Sequence, residues 1–340
     1  MNKIKVLYLG NNLANKGFSP TSIDILGHQL EEVAVVKRYS MKVNVVLRFM
    51  DMMVGVISNR KWSDVVLIDT YSSLAFYYAA FTALLANYLK IPYILILRGG
   101  NLESRLRYET KLMQYIFKHS YTLVAPSGFM SQLFLNYGYK NIKLIPNNIN
   151  LQLYPFKQRK RVSPAILWVR SFASLYNPQL AVAMVDVLKD EFPDIRLCFV
   201  GPEKDGTMDE CKILTKEKKL EKHIIFKGKL SKEDWIELSA DYDIFLSTTN
   251  IDNTPVSVME AMALGMVVVS TNAGGVPFLV DHGVSGFLYN VGDIDGLITI
   301  MRKVFKDDNS IQTLNARKKA ENWDWKTIKN HWQELFDGLV

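Results

Sequence analysis

Apolar residues in this chain fall into short runs, separated by stretches in which they recur every three or four positions. The runs at 4–9, 34–39, 65–68, 93–97, 121–125 and 143–145 are rich in Val, Ile and Leu and stop at polar, glycine or proline positions, as buried strands do. Between them the spacing is helical: from about residue 21, where Thr21 or Ser22 can cap a helix, and over 45–59, 71–89 and 102–118. Strand and helix in alternation predict a mostly parallel sheet with crossover helices. The alternation starts again after 163, with strands expected at 165–169, 196–200, 224–226, 244–246 and 267–270. Pro155, Pro164 and the run Lys157-Gln-Arg-Lys-Arg161 mark 148–163 as a polar linker. Two α/β domains are therefore expected, over 1–155 and 156–321, with an aromatic amphipathic helix in 322–340.

The 340 residues, 49% of them apolar, are enough for two such cores. The stretch 71–89 carries no charge and is long enough to span a bilayer. It contains Ser72, Ser73, Thr82 and Asn87 and lies between two strand-like runs, so a buried crossover helix is the expectation. The apolar run at the start is too short for a signal peptide. Cys198, in an apolar run, and Cys211 are the only cysteines, which points to a reducing, cytoplasmic setting.

Charge is uneven. Residues 1–157 hold 18 Lys and Arg against 8 Asp and Glu, whereas the rest of the chain is net negative although the whole carries +7. A basic half can meet anionic lipid, nucleic acid or a phosphorylated substrate. The five histidines show no metal-ligand spacing with Cys or carboxylates, and no P-loop or Gly-x-Gly-x-x-Gly turn is present.

The richest segment is Asn250-Ile-Asp-Asn-Thr-Pro-Val-Ser-Val-Met-Glu260-Ala-Met-Ala-Leu-Gly265, followed by the run 267–270 and Gly274-Gly-Val-Pro277. A loop, a helix start and a glycine turn converge at one sheet end, where an open α/β fold takes its ligand. The helix start offers unpaired N–H groups to a phosphate. Gly274 and Gly275 let backbone come close to a ligand. Glu260 can hold a pair of sugar hydroxyls. The alternative is an ordinary loop-helix-strand unit, with Asp252 serving only to cap the helix.

This block resembles the donor site of glycosyltransferase family 4, whose signature is Glu-x7-Glu, Ala-Met-Ala-x-Gly, a strand and Gly-Gly-x-Pro-Glu. Here Asp252 stands for the first Glu and Phe278 for the last. Further likenesses are Val200-Gly-Pro-Glu203, Phe226-Lys-Gly-Lys-Leu230, Lys143-Leu-Ile-Pro-Asn-Asn148 and Asp281-His-Gly-Val-Ser-Gly-Phe-Leu288, so the resemblance runs along nearly the whole chain. It implies the GT-B fold: two Rossmann-like, doubly wound parallel-sheet domains facing a cleft, with the last helix crossing back to the first domain.

The resemblance also implies roles. Arg170 binds the donor diphosphate, as a guanidinium fork suits; Asp252, Glu260 and Arg98 complete the catalytic set. Donor contacts fall on Asn177, Gly201, Lys229, Leu230, Asn253, Thr254, Pro255, Val256, Gly274 and Gly275. Gly10, Lys16, Gly17, Gly99 and Gly100 lie on the acceptor side. The family's second phosphate-binding Lys is missing: near Arg170 the sequence is Leu175-Tyr-Asn-Pro178. Tyr176 or Asn177 can hydrogen-bond a phosphate there, or Asn177-Pro178 only starts a helix. Arg98 replaces a His and cannot be a general base; it can bind a phosphate or an anionic acceptor.

What the resemblance implies is a retaining, metal-independent transfer of sugar from a nucleotide-diphosphate sugar to a hydroxyl of a glycan or lipid-linked acceptor, with no cofactor. Such an enzyme is expected in the cytoplasm and peripheral on an anionic membrane surface, in surface polysaccharide or glycolipid synthesis, and not on nucleic acid. The rival expectation is a non-catalytic sugar-nucleotide-binding or scaffold protein on the same fold.

Overall fold

The computed structural model describes residues 3–16, 21–108 and 110–339. The chain forms two compact units, one of 1–147 with 325–340 and one of 148–324.

In the first unit the strands are β1 (Lys5–Leu9), β2 (Val35–Tyr39), β3 (Val65–Thr70), β4 (Tyr93–Leu97), β5 (Thr122–Ala125) and β6 (Ile142–Leu144). They form one parallel sheet in the order β2-β1-β3-β4-β5-β6. Side chains alternate between its faces, as strand geometry requires. Leu7, Leu9, Val66, Ile68 and Leu95 join Phe76, Phe117 and Phe134 of helices on one side. Val6, Tyr8, Leu67, Ile94 and Val124 face Ile23, Leu26 and the helix Trp325–Asp337 on the other. That last helix brings Trp325, Ile328, Trp332 and Phe336 into the core of the first unit.

The second unit holds β7 (Ala165–Val169), β8 (Arg196–Val200), β9 (Ile224–Gly228), β10 (Ile244–Ser247), β11 (Val267–Thr271) and β12 (Phe287–Tyr289). These are again parallel, in the order β12-β11-β10-β7-β8-β9. Helices cover both faces, including Pro178–Leu188 and Ile294–Lys306 on one side and Val256–Ala263 and Ser310–Glu321 on the other.

Several expectations change in detail. The helix expected over 102–118 is two, Leu102–Arg107 and Lys111–Lys118, because Thr110 caps the second by accepting the Met113 N–H. Stretch 71–89 holds the helix Phe76–Tyr88, and among the described residues no helix is long and apolar enough to cross a membrane. Strand β12 was not anticipated. Residues 148–155, expected in the first domain, belong to the second unit: Ile149 pairs with Asp324, its N–H bonding Trp323 O at 2.9 Å, and Tyr154 is buried in that unit's core. The closing helix begins at Trp325, not at 322.

Candidate functional site

In each sheet the chain reverses its direction of travel beside its first strand. In the second unit it runs β7, β8, β9 one way, then returns to place β10 on the other flank of β7. The loops leaving β7 and β10 must therefore diverge, opening a crevice at their carboxyl ends. Arg170 follows β7 and Asp252 lies in the loop after β10, and across the crevice the two form an ion pair, Arg170 Nη2 to Asp252 Oδ2. The Arg170 guanidinium also lies 4.4 Å over the Tyr176 ring, with Nη2 3.4 Å from the Tyr176 hydroxyl. Tyr176 is fixed from behind: the Thr248 hydroxyl donates to its carbonyl at 2.7 Å, and Trp168 Nε1 donates to that hydroxyl at 3.0 Å. Arg170, Tyr176, Asp252, Pro255 and Ser257 line a narrow depression at this crevice.

Asp252 is almost enclosed. Burial pushes its carboxyl above the ordinary range, against the pull of Arg170 and of the Asn253 and Thr254 N–H groups. Asn253 and Thr254 thus hold the Asp252 side chain, and the first turn of the helix Val256–Ala263, entered at Pro255, lies just beyond.

The glycine turn packs against the acidic loop. A Cβ on Gly275 would stand 1.6 Å from the Asn253 carbonyl oxygen, and one on Gly274, where φ is +53°, 2.1 Å from that of Asp252. Gly275 N–H donates to Asp252 O at 2.8 Å. The glycines admit the acidic loop's own backbone and so fix where Asp252 stands. Gly201, at φ +152°, does the same for Arg170, whose carbonyl oxygen would lie 1.6 Å from its Cβ.

Glu260 is buried on the helix Val256–Ala263. Its Oε1 accepts the Tyr154 hydroxyl at 2.7 Å and Lys232 Nζ at 2.6 Å. Burial and the Glu260 charge push the Tyr154 phenol far up, so it stays a donor. Lys229 and Leu230 follow edge strand β9, Lys229 exposed and Leu230 half-buried against the core. Of the pair Tyr176 and Asn177, Tyr176 turns to Arg170; Asn177 takes a left-handed conformation before Pro178 and starts the helix Pro178–Leu188. Phe278 is exposed.

The first unit has its own reversal, between β1 and β3. Asp69, near the end of β3, is buried there; its Oδ1 accepts from the Tyr8 hydroxyl at 3.0 Å and Arg98 Nε at 3.2 Å, and its Oδ2 from the Tyr71 hydroxyl at 3.4 Å. Arg98 Nη1 donates to Asn147 Oδ1 at 2.5 Å. Burial pushes the Asp69 carboxyl up despite Arg98. Arg98 is thus bonded to both Asp69 and Asn147 and nearly enclosed. Gly10 is required by the same cluster, since a Cβ there would lie 2.7 Å from Asp69 Oδ2. Gly99 passes close to Ser72, where a Cβ would be 2.4 Å from its backbone nitrogen. Gly100 lies in the turn before Leu102–Arg107 and Lys16 is exposed, whereas Gly17 falls outside the described residues.

Sequence reasoning missed Tyr154, Lys232 and Asp69. Tyr154 sat in what read as linker. Lys232 carried one signal, the Ser231-Lys-Glu-Asp234 helix start that places it in a first turn; Ser231 Oγ accepts the Asp234 N–H at 3.1 Å. Asp69 is an acid inside an apolar run, a position that needs a partner.

The model of the family Glycosyl transferases group 1 matches residues 153–323, half of the chain. The chain belongs to the group 1 glycosyl transferases. The matched part of this group 1 glycosyl transferase contains Arg170, Tyr176, Asp252, Glu260, Tyr154 and Lys232, while Arg98 and Gly10 lie outside it. Over 156 residues the chain is 28% identical to sulfoquinovosyl transferase SQD2 of Arabidopsis thaliana, covering 43% of this chain and 28% of that protein. The alignment thus spans under a third of that relative. Two solved structures match along almost the full length. HepE of Anabaena, in complex with UDP and glucose, has a TM-score of 0.75 at 19% identity, covering 98% of this chain and 100% of its own. Sucrose-phosphate synthase from Thermosynechococcus elongatus has 0.77 at 13%, with 99% of each chain covered. At such identities the likeness is one of fold, and the fold is GT-B.

Proposed function

We propose that this chain is a family 4 glycosyltransferase: it moves a sugar, with retention of anomeric configuration and without a metal, from a nucleotide-diphosphate sugar to a hydroxyl on a glycan or lipid-linked acceptor. The observation that carries this is the Arg170–Asp252–Tyr176 cluster at the β7/β10 crevice, beside the start of the helix Val256–Ala263. In this proposal the leaving diphosphate takes Arg170 from Asp252 and meets the helix start, two sources of positive potential that serve where a metal ion would otherwise be needed. Tyr176 holds the guanidinium plane and offers its hydroxyl where relatives have a lysine. Asp252, released, turns to the donor sugar, and Glu260, braced by Tyr154 and Lys232, holds hydroxyls of the nucleotide. The acceptor oxygen forms its bond to the anomeric carbon on the face from which the phosphate oxygen departs, and that phosphate takes the acceptor's proton. The UDP and glucose of the HepE structure make uridine donors the first to test. The basic first unit supports a place at an anionic membrane surface, in polysaccharide or glycolipid synthesis.

A non-catalytic sugar-nucleotide-binding role is favoured by one observation, the absence of a lysine from the Arg170–Pro178 segment. Thermal shift against nucleoside diphosphates and their sugars, followed by donor consumption with and without a chelator, separates the two. A shift with one nucleotide, lost in Arg170→Ala, supports donor binding. Turnover that survives the chelator supports the enzyme; binding without turnover supports the rival; no shift with any nucleotide defeats both.

A further inference from the structure

The helix Val45–Ser58 presents to solvent a stripe that a water-facing helix does not ordinarily carry. Val46, Met50, Val54 and Ile57 follow one another at helical spacing, and all are exposed, Val46 to 66%. Leu47 widens the stripe, while Met52 and Val56 face inward. Alongside runs the helix Phe76–Tyr88, which contains no charged residue. Phe49 joins the two, its ring centroid 5.7 Å from that of Phe81 and 6.1 Å from that of Tyr78. Tyr77, Phe81 and Tyr88 are exposed, as is Leu74 just before that helix, to 77%. A contiguous apolar surface across two neighbouring helices marks a place of contact.

Its border says with what. Over residues 37–61 six Lys and Arg stand against one acid, Asp51. Lys42 precedes the first helix, Arg60 and Lys61 follow it, Lys90 follows the second, and all four are exposed. The whole first unit holds 19 Lys and Arg against 10 Asp and Glu. An apolar helical face with basic ends and exposed aromatic rings is the composition that lies in a bilayer interface, rings at headgroup depth and cations at the lipid phosphates. A second copy fits less well, since a self-matched pairing would bring like charges together.

We infer that the Val46–Ile57 stripe with Tyr77, Phe81 and Tyr88 is the docking surface for an anionic lipid bilayer. This rests on the membrane-peripheral part of the proposed function and names the residues that carry it. The test is co-sedimentation of the full chain with vesicles of phosphatidylcholine alone and of phosphatidylcholine mixed with phosphatidylglycerol. Binding to the mixed vesicles is expected, reduced at high salt. It should weaken at least about tenfold in V46S/M50S/V54S and in K42E/K61E, with melting temperatures unchanged because these side chains are exposed. If the parent binds and the serine variant binds equally, this surface is wrong and the membrane reading stands. If the parent binds neither vesicle, the membrane reading fails and the inference with it. If the parent is dimeric without lipid and the serine variant monomeric, the face pairs two copies and the lipid assignment is overturned.

Discussion

Arg170 and Asp252 are each other's counter-ion across 82 residues of sequence, and the pair stands where the resemblance to family 4 places a donor's diphosphate and sugar. The charge proposed to bind the diphosphate is thus already held by the chain's own carboxylate. On the proposed function, a diphosphate entering the crevice would compete with Asp252, and part of its gain on meeting Arg170 would replace an interaction already made.

Removing that competitor should help the nucleotide and harm the reaction. Asp252→Asn is expected to bind UDP about tenfold more tightly, ~1.4 kcal/mol, while transfer falls because the carboxylate for the sugar is gone. Titration calorimetry with UDP, beside a donor-consumption assay, checks both halves. Weaker UDP binding in the variant would mean that Asp252 orders Arg170 for phosphate instead of occupying it.

The same substitution has a pH signature. Burial raises the Asp252 carboxyl in the folded chain above its unfolded value. Above both values the folded state carries a disfavoured anion; as pH falls below them that cost disappears. Asp252→Asn lacks the titrating group, so its melting temperature should exceed the parent's near neutral pH, with the difference shrinking as pH falls from the raised folded value to the ordinary one of the unfolded chain. A difference that grows with acid would contradict the raised value.

Gly275→Ala should act on the site through the backbone. Its Cβ would meet the Asn253 carbonyl oxygen at 1.6 Å, so the acidic loop must move. The expected cost is about 1–3 kcal/mol of stability, with nucleotide affinity lost beyond what the melting curve accounts for. Chemical denaturation and calorimetry on the same sample separate the two effects.

In the first unit, Arg98→Ala leaves Asp69 enclosed without its cation. Such a break should cost about 3–5 kcal/mol, whereas Arg98→Leu combined with Asp69→Leu should cost less than the single change. Urea unfolding of the three proteins is the measurement. An equal loss in the single and the double variant would mean the pair is not coupled.

The strands and most helices were legible because apolar period and caps are local. The break at Thr110 was not, since the apolar spacing on either side of it reads as one helix. Strand β12 directly follows the polar, glycine-containing stretch 281–286, with which its Phe287 and Leu288 were read as one motif. At the site, Arg170, Asp252 and Glu260 could each be read from motif and position, but their partners could not. That Asp252 meets Arg170 follows from the order of strands in the sheet. That Tyr154 and Lys232 converge on Glu260 depends on two segments remote in sequence packing against one helix. The glycines of the Gly-Gly turn were legible as a place of close approach, but not that the acidic loop's own backbone is what they approach.

The helix Trp325–Asp337 lies in the first unit, yet all of residues 148–324 come between it and the sheet it covers. On the ribosome, one face of that sheet therefore waits for Trp325, Ile328, Trp332 and Phe336 while the whole second unit is made, roughly 10–35 s at ordinary rates of synthesis. The second unit can finish folding before the first, although the first begins to emerge earlier. During that interval the uncovered strands are the part of the nascent chain most in need of a chaperone.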